Sequence, residues 1–274
     1  MRAMLQKQQA IFFFALTLII GWFPWYVGRG GVMFAAPLLA GFLMAFLASG
    51  WEGVRSVLRR VFRWRANAGW YLTVLISPAI LYLVAVGVHT FTGGSSPGFP
   101  MFRENQGLLV LTFVYFLLPW QSSAFLEEVG FRGYALEELQ EKYGPLIGTL
   151  ILGIFFGGWL LPEFLREGSA QAAMGGMVFF PWFVLQEIGW SYLMTYVYNN
   201  AKKSALIAGY LFHAAFNFWS MVLLTNAMPG AELEGFDVNL FVLSSVVVAL
   251  AALILVLTTK GRIGYSEQST RTAQ

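Results

Sequence analysis

Cysteine is absent from this chain, which excludes disulfides, a thiol nucleophile and any thiolate metal site. Histidine is nearly absent too. With only His89 and His213 available, a metal centre would have to draw mainly on carboxylates or amides. Charge is the third shortage: Asp, Glu, Lys and Arg make up 11% of the 274 residues, against about 25% in soluble domains. Since 58% of the residues are hydrophobic and mean hydropathy is +0.65, an ordinary soluble domain is excluded and a membrane protein is left.

Long apolar runs are abundant. They predict an all-α, polytopic membrane helical bundle of about eight transmembrane helices: residues 11–27, 32–50, 69–90, 107 into the acidic motif, 146–165, 174–198, 204–224 and 240–257. The first run is followed by Trp22, Pro24, Trp25 and Tyr26 where a cleavage site would need small residues, so it reads as a retained helix with an aromatic belt. Residues 51–68 read as a basic loop with Arg55, Arg59, Arg60, Arg63 and Arg65, a topology signal in contact with lipid headgroups and not a nucleic-acid site. Pro119 predicts a kink in the fourth span. Residues 133–143 read as a short amphipathic helix, with Tyr134, Leu136 and Leu139 on one face, Glu137, Glu138, Glu141 and Lys142 on the other, and Gly144-Pro145 as its stop. No internal repeat of the transporter kind is visible.

One integrated membrane domain is expected, divisible into N-terminal helices (1–106), a core (107–225) and a last helix with a polar tail (226–274). An even number of spans puts both termini on one side. That assignment gathers Arg2, Lys7, the five arginines of 51–68, Arg132, Lys142, Lys202, Lys203, Lys260, Arg262 and Arg271 inside, and leaves only Arg29, Arg103 and Arg166 outside. By the positive-inside rule both termini are cytoplasmic, in an integral protein of the plasma membrane.

Two stretches interrupt the apolar background with groups that need a reason to be there, since an intramembrane charge costs roughly 3 kcal/mol even on the mildest scale. In Glu127-Glu128-x-x-x-Arg132, Glu128 and Arg132 stand at i and i+4 and can meet on one helix face. Glu127 lies about 100° away and stays free. In His213-x-x-x-Asn217 an imidazole and an amide share a face, an arrangement suited to proton transfer, metal ligation or donation to an oxyanion, or simply to helix packing.

Together with Phe156-Gly157-Gly158-Trp159-Leu160-Leu161-Pro162, with Gly130-Phe131-Arg132-Gly133-Tyr134-Ala135-Leu136, and with Glu141-Lys142-Tyr143-Gly144-Pro145, these motifs resemble the CAAX-protease and bacteriocin-processing (CPBP, or Abi) family over about residues 111–219. The resemblance implies an intramembrane endopeptidase that hydrolyses membrane-associated or prenylated peptide or membrane-protein substrates. Glu127 would be the general base, Glu128 and Arg132 would orient the water, and His213 with Asn217 would stabilise the oxyanion. The family's second motif is Phe-x-x-x-His, and here the last position is Leu160. Leucine can neither help activate water nor hold a metal such as zinc, which usually takes three protein ligands in catalytic sites. The alternative implied is a catalytically silent homologue that binds membrane partners. A transporter or channel lacks the repeat symmetry it would need.

Other polar residues could substitute for the missing histidine. Glu187 lies about 12 residues, or roughly 18 Å, from Asn199, and His213 about 10 residues, roughly 15 Å, from Lys203. The matching depths make Glu187 a candidate compensating carboxylate, or else a glutamate in one interhelical hydrogen bond. His89 falls near the outer interface with no catalytic role, and Glu163 is expected to be solvated. Ser122 and Ser123 read as structural or cavity-lining hydroxyls, and Gly153, Gly157 and Gly158 as points of close helix approach.

Overall fold

The computed structural model describes residues 8–103, 106–119, 123–225 and 237–265. Arg2, Lys7, Ser122, Arg271 and the end of the polar tail lie outside the described residues. The architecture is a helical bundle, with no strand among the described residues. Its main elements are α1 (Gln9–Gly21), α2 (Ala36–Val61), α3 (Ala68–Phe91), α4 (Gln106–Phe116) and α5 (Ser123–Gly130). A π-helical turn (Phe131–Ala135) leads into α6 (Leu136–Gly158), followed by α7 (Leu161–Leu165) and α8 (Phe180–Asn200). A second π-helical turn (Leu206–Leu211) leads into α9 (Phe212–Leu224), and α10 (Val238–Thr258) completes the set. Five helical stretches are long and apolar enough to cross a membrane: α2, α3, the run Ser123–Leu165, the run Leu206–Leu224, and α10. Helices α1 and α4 are shorter apolar segments, and α8 packs between α6 and α10. The protein is an integral membrane protein.

Several boundaries differ from the sequence reading, each for a local reason. Residues 51–61 are helical, where a loop was expected. The chain breaks at Gly50 (φ 62°, ψ −149°) and immediately resumes, burying Val57 and Val61 while Arg55 and Arg59 stay in solvent. The expected kink at Pro119 is a full interruption, because α4 ends at Phe116 and α5 begins at Ser123. The amphipathic stretch 133–143 is continuous with α5 through the π-helical turn. It stops at Gly144 (φ 74°, ψ 166°), after which Pro145 starts the next span. Its acidic face is not wholly solvated. Glu137 is buried, accepting from the Tyr198 hydroxyl at 2.9 Å and pairing with Lys203 at 3.1 Å.

Glycines set the closest helix crossings. A Cβ on Gly130 would fall 2.1 Å from the Pro37 carbonyl oxygen, so α2 and α5 can cross only there. On α6, a Cβ at Gly153 or Gly157 would come 2.8 Å from the Cα of Ile188 or Val184 on α8. Gly158, expected at the same interface, faces open space. Basic groups collect at one end of the bundle. Arg60 donates to the Gly133 carbonyl (2.8 Å), Arg63 to the Lys202 carbonyl (2.5 Å), and Lys203 sits on Glu137. The opposite end is tied by Trp22 donating to the Trp159 carbonyl (2.7 Å) and by His89 pairing with Asp237 (3.0 Å).

Glu163 is also at that far end, and it corrects the solvated placement. Its side chain is buried, takes Arg166 at 2.6 Å and accepts from the Val32 backbone N–H at 2.8 Å. An acid beyond Pro162 stays buried because a neighbouring arginine and an otherwise unpaired N–H satisfy it.

Candidate active site

Four elements converge on the polar centre: α5, the π-helical turn after it, α8 and α9. Arg132 is fully buried, with a relative exposure of 0%. Its guanidinium donates to Glu128 Oε1 at 2.7 Å and to Ser191 Oγ on α8 at 3.0 Å, and it lies over the Phe156 ring, 5.0 Å from the centroid. Such a charge is tolerable in hydrocarbon only because it is paired, hydrogen-bonded and backed by an aromatic face. The expected i,i+4 pair therefore forms.

Glu128 Oε1 has a second partner. His213 Nδ1 lies 3.1 Å from it. Because that oxygen already neutralises Arg132 as a carboxylate, the imidazole must carry its proton on Nδ1 to bond there, and its Nε2 edge is left for other work. The ring is clamped as well as hydrogen-bonded. Phe216 stacks on it at 4.6 Å with the planes 13° apart, Phe156 meets it edge-on at 5.4 Å, and Trp190 from α8 stacks on Phe216 at 4.9 Å.

Glu127 stands apart from this network. It is 1% exposed, and neither carboxylate oxygen has a well-formed hydrogen bond. Ser123 approaches without completing one, and His213 is its strongest charged neighbour. Glu128 Oε2 and Glu187 Oε2 are likewise buried without a partner. Buried acids with oxygens that lack protein partners are the exception in proteins, and three of them beside one another single out this centre.

The second π-helical turn makes room for the pair. A Cβ on Gly209 would approach Glu128 Oε2 to 2.9 Å and Glu128 Cβ to 3.0 Å, so glycine allows this turn to press against α5. Val61, Phe125, Ala205, Leu206 and Tyr210 close over Glu128 as a narrow seam with no room for a water molecule. Val61 and Ala205 lie close in sequence to the Arg63 and Ser204 contacts of the basic end.

The sequence-predicted residues thus divide. Glu127, Glu128, Arg132 and His213 come together. Glu187 is buried beside them, with Glu127 as its strongest charged neighbour, followed by Arg132 and Glu128. Asn217, one turn beyond His213 on α9, is half-buried and takes no part in the Glu128–Arg132–His213 network among the described residues. Leu160 is buried and apolar at the end of α6. Ser191 and Gly209 were missed by sequence reasoning. Ser191 was within reach, because it sits four residues after Glu187 on the same helix face, whereas a single glycine in an apolar helix carries no signal of what it faces.

As to metal, no group of three or more His, Asp or Glu side chains could hold an ion among the described residues. The atoms best placed to ligate are already engaged with one another, Glu128 Oε1 with Arg132 and His213 Nδ1 with Glu128. The residues present do not fit a metal centre.

Residues 108–219, which contain all of these side chains, match the family described as Rce1-like, type II CAAX prenyl endopeptidase Rce1-like. The CAAX prenyl protease 2 of Methanococcus maripaludis is 28% identical over 150 residues, covering 52% of this chain and 52% of that protein. The chain thus spans about half the length of the curated relative it matches. Over the residues that carry its buried Glu-Glu-Arg-His centre, the chain is thus similar to the Rce1-like family of CAAX prenyl endopeptidases.

Proposed function

We propose that the chain is an intramembrane endopeptidase that hydrolyses peptide bonds of membrane-associated substrates with a glutamate-activated water. The observation that carries this reading is the state of Glu127: a buried carboxylate with both oxygens lacking a hydrogen-bond partner, next to an acid, an arginine and a histidine that satisfy one another.

In this mechanism Glu127 takes a proton from water as the water oxygen adds to the scissile carbonyl. The tetrahedral oxyanion is met by the Asn217 amide and by His213 Nε2 in its protonated form. As the carbon–nitrogen bond breaks, the proton on Glu127 passes to the leaving amine. Glu128 holds the imidazole through Nδ1, and Arg132 holds Glu128 in place. A positioned base of this kind contributes about 10²- to 10⁴-fold, and an oxyanion donor about 3 kcal/mol.

The substrates are peptides or membrane proteins reached from the basic end. The name of the Methanococcus relative points to prenylated ones. The excess of Lys and Arg at that end supports its placement in the cytoplasm, with both termini, in a cell-membrane protein.

The test is peptide cleavage by the purified protein in liposomes, read by mass spectrometry on a mixed peptide library. Wild type should cleave, and Glu127→Ala should lower the rate by about 10²-fold or more. Leu160 makes one other outcome specific. If the wild type is silent and Leu160→His cleaves, the chain is a family member that kept the scaffold and lost the chemistry.

A further inference from the structure

Charge balance in the site leaves one acid over. Arg132 is matched by Glu128, and His213 is held by the same carboxylate. Glu127 and Glu187 remain, both buried, each with oxygen that has no hydrogen-bond partner among the described side chains, and Glu127 is the strongest charged neighbour of Glu187.

The packing of α8 explains why Glu187 faces this centre. Val184, Ile188 and Ser191 lie against α6, because Gly153 and Gly157 bring the two backbones into contact at those residues. Glu187 stands three residues after Val184 and four before Ser191, on the same stripe. Ser191 fixes where that stripe points, since its hydroxyl is bonded to Arg132. One turn earlier, Glu187 is therefore on the wall of the Glu127–Glu128–Arg132 cluster. The Trp190–Phe216–His213 ring stack ties α8 to α9 beside this wall. On the α6 side, Leu160 supplies no polar group.

We propose that Glu127 and Glu187 form a carboxyl dyad that binds the attacking water between them, Glu127 as carboxylate and Glu187 as carboxylic acid. Two carboxyls at close quarters in a low dielectric, with no cation left to balance the second charge, share one proton. The proposal deepens the endopeptidase reading and rests on it.

The steps balance. As the water oxygen bonds to the scissile carbon, its proton goes to Glu127, and Glu187 gives its proton to the carbonyl oxygen as negative charge develops there beside Asn217 and His213, so the oxyanion is neutralised to a diol. As the carbon–nitrogen bond breaks, Glu127 protonates the leaving amine and one diol hydroxyl returns a proton to Glu187. Both acids end as they began. A polar residue absent from the family's second motif position is then not needed, because the second proton-handling group comes from the neighbouring helix.

The experiment compares wild type, Glu127→Ala, Glu187→Gln and Glu187→Asp in liposomes, measuring kcat, KM and the unfolding temperature of each. A second readout is binding of a hydroxyl-bearing, non-cleavable peptide analogue, which mimics the diol. The dyad predicts that Glu187→Gln loses about 10²-fold or more in kcat, with KM within about threefold. It also predicts that this variant binds the analogue at least tenfold more weakly at an unchanged unfolding temperature, and that Glu187→Asp recovers part of both losses. A merely structural glutamate would instead lower the unfolding temperature and leave analogue affinity in the folded fraction intact, which would overturn the dyad. So would Glu187→Gln cleaving at the wild-type rate while Glu127→Ala is silent, and that pattern leaves the endopeptidase reading standing. A wild type that cleaves nothing removes the parent reading and the dyad together.

Discussion

Arg132 shows what a buried charge demands. Its guanidinium holds Glu128 and Ser191 and covers Phe156, all out of water. Removing one partner of such a pair strands the other, at about 3–5 kcal/mol, whereas replacing both with apolar groups of similar volume is much milder. Arg132→Ala should therefore unfold well below wild type in detergent, and the double change Arg132→Met with Glu128→Met should recover most of the loss while remaining inactive. Chemical or thermal unfolding followed by circular dichroism checks the ranking. Were the double variant less stable than Arg132→Ala, the pair would not be the coupled unit described. The i,i+4 spacing made this pair legible in the sequence, and one-dimensional patterning also exposed His213. It could not show that the same Glu128 oxygen serves both, because that depends on how α5 and α9 approach through Gly209.

At the level of helices, glycine placement decides which surfaces meet. Gly157 has no room for a Cβ, whose contact would be the Val184 backbone at 2.8 Å, an atom that cannot rotate away. Gly158, next in sequence, faces open space. Gly157→Ala should cost about 1–3 kcal/mol by overpacking, and Gly158→Ala should stay within about 0.5 kcal/mol of wild type. Paired thermal unfolding of the two variants decides the point, and equal effects would contradict the α6–α8 crossing. The run Gly153 to Gly158 looked uniform as sequence, since composition carries no helical phase. Structure separates Gly153 and Gly157, on one face four residues apart, from Gly158 about 100° away. Element boundaries failed for a related reason. Residues 51–61 read as a loop because Arg55, Arg59 and Arg60 break up the apolar run, yet Val57 and Val61 at i and i+4 suffice to hold a helix against the bundle.

Across the whole molecule, the segregation of charge is the feature most readable from sequence and most open to direct measurement. Arg59 and Glu167 are both exposed, on opposite ends: Arg59 beside the basic cluster, Glu167 just past the Glu163–Arg166 pair. Fourteen of the seventeen basic residues fall on the Arg59 side in the eight-span reading, and it is the distribution of Lys and Arg across short loops that orients such a protein. The absence of cysteine makes the chain its own unlabelled background. In intact cells a membrane-impermeant maleimide should label Glu167→Cys and should reach Arg59→Cys only after permeabilisation. Labelling in the reverse order would turn the bundle over and put the basic end on the outside. Because the basic end stays with the Arg59 side whichever way the bundle is inserted, two single-cysteine variants fix which side of the membrane it faces.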